Sequence, residues 1–161
     1  MQTYLPESWE SKKITTRSSP LHGHGVFAVA PIAKGEVLVR WGGRVFTTQH
    51  VLDGATNDQT ACQIDDDLYI AGSPDTKLIG SDLMNHSCDP NTWMDDEVTI
   101  SARRDIAPGE EVTADYALWA ITRSTRTLQR TLPSLSSKTD RCARSLNARI
   151  RKQQNSPAVF L

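Results

Sequence analysis

The sequence has few cysteines, few aromatic residues and no long apolar run. Its 161 residues include three cysteines, Cys62, Cys88 and Cys142, and 6% aromatic residues. Three scattered cysteines are too few for a disulfide framework and suit a reducing compartment. No apolar run approaches the roughly 20 residues of a membrane-spanning helix, and the amino-terminal segment lacks the basic and apolar regions of a secretory signal. We therefore predict an intracellular protein, cytoplasmic or nuclear, that is not secreted and does not contact a membrane.

The two parts of the chain differ in charge, because residues 1–119 have few basic side chains and residues 120–161 have few acidic ones. Residues 1–119 carry 18 acidic and 9 basic side chains, a net charge of −9, whereas residues 120–161 carry 1 acidic and 9 basic ones, a net charge of +8. The length suits one domain with a hydrophobic core. We place that domain at residues 1–119 and a basic tail at residues 120–161.

The basic tail supports two interpretations. Its low apolar content predicts an irregular or partly helical segment, with a marginal helix at 140–154 as the ordered alternative. Its arginines could neutralise phosphates and give a weak contact with nucleic acid. No aromatic residue is interleaved with them to stack on bases, so we favour a solvated extension over a nucleic-acid site.

Residues 1–119 alternate short apolar runs with turn signals, which predicts many short strands. The candidate strands are 26–31, 36–46 with a break at Gly42-Gly43, a hairpin around the acidic turn 65–67, 97–104 and 110–116. Period-two alternation predicts that Val98, Ile100 and Ala102 face the core together. Helical periodicity is weak, and residues 77–84 are the best candidate for a helical turn. The fold class is therefore mainly β, α+β at most.

The segment Asn85–Asn91, NHSCDPN, concentrates chemically different side chains, and three kinds of site compete for it. A zinc site would combine His86 and Cys88 with His22 and His24, but neither pair has the spacing of an ordinary structural site. A nucleophilic site would activate the thiol or hydroxyl with the adjacent imidazole, an arrangement that such close neighbours rarely reach. The third alternative is a pocket for a small polar molecule.

A pair of glycines favours the pocket. Gly23 and Gly25 come just before a candidate strand, and residues without a Cβ let the backbone approach a ligand closely. A single Gly-x-Gly is more often only a turn. Its value here depends on the motifs that follow it in the sequence.

Three motifs occur in order, HGHGVFAVAPIAKGEVLVRWGG, LMNHSCDPN and ARRDIAPGEEVTADYALW. Together they resemble the SET domain of protein lysine methyltransferases over about residues 16–119, and agreement of all three in order is improbable by chance. The resemblance implies a SET-like fold of short β-sheets. It also implies a knot-like crossing, rare in proteins, in which the strand ending in Tyr116 passes through a loop beside Asn85 and His86.

The resemblance implies transfer of a methyl group from S-adenosylmethionine to a lysine of a histone or another basic protein. The implied cofactor-binding residues are Gly23, His24, Gly25, Asn85, His86 and Tyr116. Tyr116 is also the implied catalytic residue, because its hydroxyl would orient the attacking amine. The sulfonium methyl is already electrophilic, so alignment is the main task. An acidic domain suits a lysine-rich substrate.

The implied substrate channel includes Trp41, Ala114 and Trp119. Ala114 stands where the family often has phenylalanine or tyrosine and predicts extra room, and Trp41 stands where a tyrosine is common. Many family members bind a structural zinc through a downstream cysteine cluster, but Cys142 and Cys88 supply two of the four ligands required. We therefore expect no metal. The switch in charge after Trp119 suggests a tail foreign to the family, so the alternative is an inactive SET-like module that docks on a basic protein or, through the tail, on nucleic acid.

Overall fold

The computed structural model describes residues 4–57 and 59–116, and these form short strands with little helix. The strands are β1 (Trp9–Glu10), β2 (Ile14–Ser18), β3 (His24–Ala28), β4 (Val37–Arg40), β5 (Arg44–Thr47), β6 (Cys62–Asp65), β7 (Leu68–Ala71), β8 (Asn85–His86), β9 (Thr92–Met94), β10 (Thr99–Ala102) and β11 (Glu111–Ala114). A short helix, α1 (Thr48–Leu52), and a 3-10 turn (Gly80–Leu83) complete the described elements. The predicted mainly β fold is confirmed.

The strands form three small sheets. Two sheets have four strands, in the orders β1-β4-β10-β9 and β2-β3-β11-β8, and the third has the order β5-β7-β6. Strand β8 pairs with β11 in parallel, whereas the other pairs are antiparallel. A parallel pair needs a long connection. The chain between β8 and β11 supplies it and also contributes β9 and β10 to another sheet.

The main hydrophobic cluster joins the two four-stranded sheets. It contains Val26, Ala28, Ile32, Leu38, Val39, Met84, Ile100, Ala102, Ile106, Val112 and Ala114. Strands β3 and β11 contribute from one sheet, and β4 and β10 contribute from the other. Full burial of one aliphatic side chain such as Ile100 stabilises the fold by about 1.5–3 kcal/mol. The cluster therefore sets the position of β11, from which the candidate site is built.

The strand boundaries follow the turn signals of the sequence. The break at Gly42-Gly43 separates β4 from β5, and the acidic turn joins β6 to β7 in an antiparallel hairpin, as predicted. Gly43 has φ of 143°, a backbone conformation that residues with a Cβ rarely adopt. The predicted helical turn at 77–84 is confirmed as the 3-10 turn.

Strand β10 is buried more completely than its alternation predicts. Val98, Ile100 and Ala102 are buried as expected, but Thr99 and Ser101 are buried too. Strand β10 lies between β4 and β9, and the Ser101 hydroxyl accepts a hydrogen bond from the Trp93 indole at 3.0 Å. The Thr99 hydroxyl donates to Asp96 Oδ2 at 2.9 Å, so neighbouring side chains help to shield the second face.

Helix α1 was not predicted from the sequence. Thr47 caps it: its side chain accepts from the His50 backbone N–H, and the His50 ring accepts from the Thr47 N–H, which makes a capping box. The helix has five residues and no buried side chain, so it has no apolar periodicity to detect. Among the described residues, no helix has the length and apolar character needed to cross a membrane.

Four predictions about the end of the chain fall outside the described residues. Trp119, the basic tail and the division at 119/120 lie there, as does any passage of the chain through a loop beyond Tyr116. Those parts of the sequence analysis stay predictions. The structure describes one part of the predicted knot-like crossing, which is the parallel pairing of β8 with β11.

Strand β11 is held from the side by Asn91 and Thr92. The Asn91 amide accepts from the Thr113 backbone N–H at 2.8 Å and donates to the Glu111 carbonyl at 2.8 Å. The Thr92 hydroxyl donates to the Thr113 carbonyl at 2.8 Å. Thr92 and Asn91 are at most 2% exposed, so these bonds are shielded from water. The last asparagine of NHSCDPN therefore has a structural role.

Asn91→Ala should lower the free energy of unfolding by about 1–3 kcal/mol, because it leaves the buried Thr113 N–H without its acceptor. Urea denaturation monitored by circular dichroism measures the change. Gln59→Ala is the matched control, because it removes an exposed side-chain amide. An equal loss in both variants would contradict the assigned role of Asn91.

Candidate functional site

The parallel contact between β8 and β11 assembles the candidate site. Asn85 pairs with Thr113, and His86 pairs with Ala114. Tyr116 comes two residues after the end of β11 and lies beside His86, although 30 positions separate them in sequence. The NHSC segment and the end of the GEEVTADY motif therefore meet, as the sequence analysis predicted.

The Asn85 side chain connects this strand pair to residues 22–25, which we call the glycine segment. Its Nδ2 donates to the His22 carbonyl at 3.2 Å, to the His24 carbonyl at 3.1 Å and to Glu111 Oε1 at 2.7 Å. Asn85 is 8% exposed. One buried amide thus brings together segments from all three sequence motifs.

The glycine segment is shaped by this contact. Gly25 is buried, and a Cβ there would lie within 3 Å of the Asn85 amide nitrogen and overlap the Glu111 carboxylate. Gly23 has φ of 46° and open space where a Cβ would be. The His24 side chain is exposed, and its carbonyl makes the contact with Asn85. Gly25 is therefore required by packing, whereas Gly23 leaves accessible backbone.

His86 and Tyr116 form the second half of the site. Their ring centroids are 5.3 Å apart, with planes inclined at 55°. The Tyr116 backbone N–H donates to His86 Nδ1 at 3.3 Å, and its hydroxyl donates to the Met84 carbonyl at 2.7 Å. Both ends of Tyr116 are thus tied to the chain around β8, which fixes the direction of the phenol.

Burial controls the charge of both rings. It lowers the pKa of His86 below its usual value of 6.5, and this effect exceeds the opposing influence of the Asp115 carboxylate and the Ala114 carbonyl. Burial also raises the pKa of Tyr116, and a hydrogen bond between its phenol and the His86 backbone opposes this effect only in part. At neutral pH the site therefore holds a neutral imidazole and a neutral phenol.

The structure describes two of the three predicted channel residues, Trp41 and Ala114. Trp41 is half-buried and packs against the main cluster and against a second, smaller cluster of Cys62, Ile70 and Val98. Ala114 is 1% exposed within the main cluster. The methyl group of Ala114 is therefore enclosed by core side chains. Trp119 lies outside the described residues.

The described residues offer limited support for the other kinds of site. His86 Nε2 lies 3.6 Å from Cys88 Sγ, but among residues 4–57 and 59–116 no group of three or more His, Cys, Asp or Glu side chains is arranged to hold a metal. A surface cavity of about 350 Å³ is lined by Glu10, Ile14, Thr15, Thr16, Val26 and Gly80. That cavity contains none of the predicted site residues, so we place the candidate site at the Asn85 junction.

Comparisons with known proteins agree with this geometry. The family model described as SET domain matches residues 23–117, which includes the glycine segment, the NHSC segment and Tyr116. The chain belongs to the SET domain family. The predicted resemblance is confirmed.

Curated relatives of this SET domain are much longer proteins. Histone-lysine N-methyltransferase ATX2 of Arabidopsis thaliana is 28% identical over 136 residues, which covers 74% of this chain and 12% of ATX2. Histone-lysine N-methyltransferase TRX1 of Oryza sativa subsp. japonica is 31% identical over 133 residues, which covers 68% of this chain and 13% of TRX1. The chain thus spans about an eighth of the length of these relatives.

Solved structures share the fold of this SET domain at low sequence identity. A structure described as ctPRC2 in an autoinhibited conformation bound to S-adenosylmethionine has a TM-score of 0.54 and 18% identity, covering 69% of this chain and 16% of that one. A humanized mutant of the Chaetomium thermophilum Polycomb Repressive Complex 2, bound to the inhibitor GSK126, has a TM-score of 0.53 and 18% identity, covering 74% and 16%. At this identity the likeness establishes the fold.

The sequence analysis missed Glu111 and Ser19 as members of the site. Glu111 accepts from Asn85, and the Ser19 hydroxyl lies 2.8 and 2.9 Å from the two Glu111 carboxylate oxygens. The sequence contained one signal for Glu111. Val112 and Ala114 alternate with it along the strand and face the core, which predicts that the Glu111 side chain lies on the other face. Ser19 gave no signal, since its partner lies 92 positions away.

His86 should titrate with a pKa below 6.5 in the folded protein, measured by the NMR shift of its Cε1 proton. Because the folded pKa is lowered, neutral His86 contributes stability that is fully present above 6.5 and is lost as pH falls through the lowered pKa. His86→Gln is the matched control, because its amide oxygen can accept from Tyr116 without titrating in this range. The free energy of unfolding of His86→Gln, relative to that of the wild type, should rise as pH falls. A midpoint of the His86 titration at or above 6.5 would contradict the lowered pKa.

Proposed function

We propose that this SET domain transfers a methyl group from S-adenosylmethionine to a lysine side chain of a histone or another basic protein. The observation that carries the proposal is the junction of all three motifs, where the Asn85 amide binds the 22–24 backbone and Tyr116 packs on His86. The names of the curated relatives support it, since they are histone-lysine N-methyltransferases. A structural neighbour described as bound to S-adenosylmethionine supports the choice of cofactor.

The residues at the junction fit this cofactor. The backbone at Gly23, His24 and Gly25 would line it, because Gly23 leaves open space, and the missing Cβ at Gly25 lets Asn85 and Glu111 pack against this backbone. Asn85 and His86 would hold its amino-acid and adenine portions. S-adenosylmethionine carries its methyl group on a positively charged sulfur, which makes that group electrophilic. The neutral state of His86 avoids placing a second positive charge nearby.

Tyr116 would orient the reactants. Its hydroxyl donates to the Met84 carbonyl, which fixes the direction of the phenol, and its oxygen would contact the attacking amine. Its raised pKa keeps the phenol protonated, which excludes it as a strong base at neutral pH. The lysine must lose its own proton before transfer, since its free pKa is about 10.4. Tyr116 therefore contributes alignment.

The charge of the domain fits a basic substrate. Residues 1–119 carry a net charge of −9, which would raise the local concentration of lysine-rich segments. We further propose an intracellular location, in keeping with substrates of this kind. The weak nucleic-acid contact predicted for residues 120–161 falls outside the described residues.

Isothermal titration with S-adenosylmethionine and mass spectrometry of a lysine-rich peptide mixture test the proposal together. We expect binding, and a product heavier by one or more methyl groups. Binding without product would favour the alternative of an inactive SET-like module. No binding by a folded sample would reject the proposal.

Tyr116→Phe should reduce kcat by about 10- to 100-fold, because the amine loses the hydroxyl that aligns it. The affinity for S-adenosylmethionine should change little, since the ring remains. Tyr4→Phe is the matched control, because it removes a tyrosine hydroxyl that donates to Glu97 at 3.1 Å. Equal turnover in both variants would show that the Tyr116 hydroxyl does not act in the reaction.

A further inference from the structure

The Glu111 carboxylate lies between the glycine segment and Asn85. Glu111 begins β11 and is half-buried. Its Oε1 accepts from Asn85 Nδ2 at 2.7 Å, the shortest of the three bonds made by that amide. The carboxylate also occupies the space where a Cβ of Gly25 would be. Glu111 therefore contacts two of the residues that the proposed function assigns to the cofactor.

The surroundings of Asn85 fix the orientation of its amide. Three oxygen atoms, two carbonyls and one carboxylate, surround the Nδ2 position. A rotation that exchanged Nδ2 and Oδ1 would bring an acceptor against these acceptors and lose all three hydrogen bonds. Among the described residues, no hydrogen bond ends on Asn85 Oδ1. Asn85 thus presents an acceptor, and a ligand would meet it with an N–H or ammonium group.

The same carboxylate shapes the segment before Gly23. Both of its oxygens lie within 2.9 Å of the Ser19 hydroxyl, which accepts from the backbone N–H groups of Leu21 at 2.9 Å and His22 at 3.4 Å. The Ser19 backbone N–H donates to the Gly23 carbonyl at 2.9 Å. The turn at 19–23 is therefore tied to β11 through one side chain.

We propose that Glu111 is a positioning residue for the cofactor site. It holds the Asn85 amide so that Oδ1 faces a hydrogen-bond donor of the cofactor, and through Ser19 it holds the turn that leads into Gly23. It acts through these residues and does not touch the reacting atoms. The inference rests on the proposed function, because it assumes that the ligand at this junction is S-adenosylmethionine.

Two substitutions separate positioning from a direct ionic contact with the cofactor. Glu111→Gln removes the charge but keeps an oxygen that can accept from both Asn85 Nδ2 and the Ser19 hydroxyl, as Glu111 Oε1 does. Glu111→Ala removes both interactions. We expect Glu111→Gln to change the dissociation constant for S-adenosylmethionine by no more than about 3-fold and Glu111→Ala to raise it by at least about 10-fold, with KM for the cofactor changing more than kcat.

Glu110→Ala is the matched control. Glu110 is the adjacent glutamate, and its carboxylate bonds Arg104, Asn91 and the Ala107 N–H, away from the Asn85 amide. Thermal unfolding of each variant measures general damage to β11. We expect Glu110→Ala to lower Tm and leave cofactor affinity within about 2-fold of the wild type. A loss of affinity in Glu110→Ala that matches Glu111→Ala would mean that the effect is only structural and would overturn the proposal.

A second measurement needs no cofactor. The side-chain amide of Asn85 gives its own pair of proton–nitrogen NMR signals, and a hydrogen bond to a carboxylate shifts the bonded proton downfield. We expect the shift to be lost in Glu111→Ala and to remain in Glu110→Ala. An unchanged Asn85 amide in Glu111→Ala would overturn the positioning role, even for a variant too unstable for titration.

The two hypotheses fail in different ways. If the wild-type protein does not bind S-adenosylmethionine, the proposed function is rejected. If the wild type binds it and Glu111→Ala binds it equally well, the positioning role is rejected while the proposed function stands. If Glu111→Gln loses as much affinity as Glu111→Ala, the negative charge itself is needed, and Glu111 contacts the cofactor directly.

Discussion

The candidate site depends on one buried amide. Asn85 Nδ2 is the atom at which the glycine segment, the NHSC segment and the beginning of β11 meet, with three oxygen partners within 3.2 Å. A buried donor that loses its acceptors destabilises the fold by the free energy needed to desolvate that donor. Here the loss would also remove the hydrogen bonds that hold the three segments together. The hydrogen bonds of Asn85 therefore serve stability and the shape of the site together. An aspartate would fit the same space, yet it could not donate to the carbonyls of His22 and His24.

The surrounding fold makes this contact rigid. Strand β11 is four residues long, and three of them, Val112, Thr113 and Ala114, are buried. Its neighbours β3 and β8 bond both edges, and the side chains of Asn91 and Thr92 add bonds to Thr113. So short a strand would be marginal alone. Its position is determined by packing and by the polar side chains of Asn91 and Thr92, so the two asparagines of NHSCDPN have different roles.

The sequence predicts the parts of this arrangement that depend on local chemistry. The break at Gly42-Gly43 and the hairpin at 65–67 follow from turn residues, and the meeting of Tyr116 with His86 followed from family resemblance. Neither periodicity nor spacing could reveal that Ser19 binds Glu111, because the bond joins side chains 92 positions apart. The full burial of β10 also could not be predicted from the alternation of its residues. Thr99 and Ser101 occupy the alternate positions of the strand and so look solvent-facing in the sequence, but the side chains of Asp96 and Trp93 hydrogen-bond to them and help to cover them.

The electrostatics of the site follow from where the domain keeps its charges. The cationic cofactor of the proposed reaction would be repelled by an imidazolium, and burial disfavours that form by lowering the pKa of His86. Glu111 supplies a carboxylate at the same junction, but Asn85 and Ser19 engage its oxygens. The net charge of −9 over residues 1–119 is carried largely by exposed side chains, such as those of Asp66 and Asp67. A long-range field can thus attract a basic substrate, while at the site the Glu111 carboxylate and the Asp115 carboxylate, 3.8 Å from His86 Nδ1, supply the negative charge that suits the cationic cofactor of the proposed reaction.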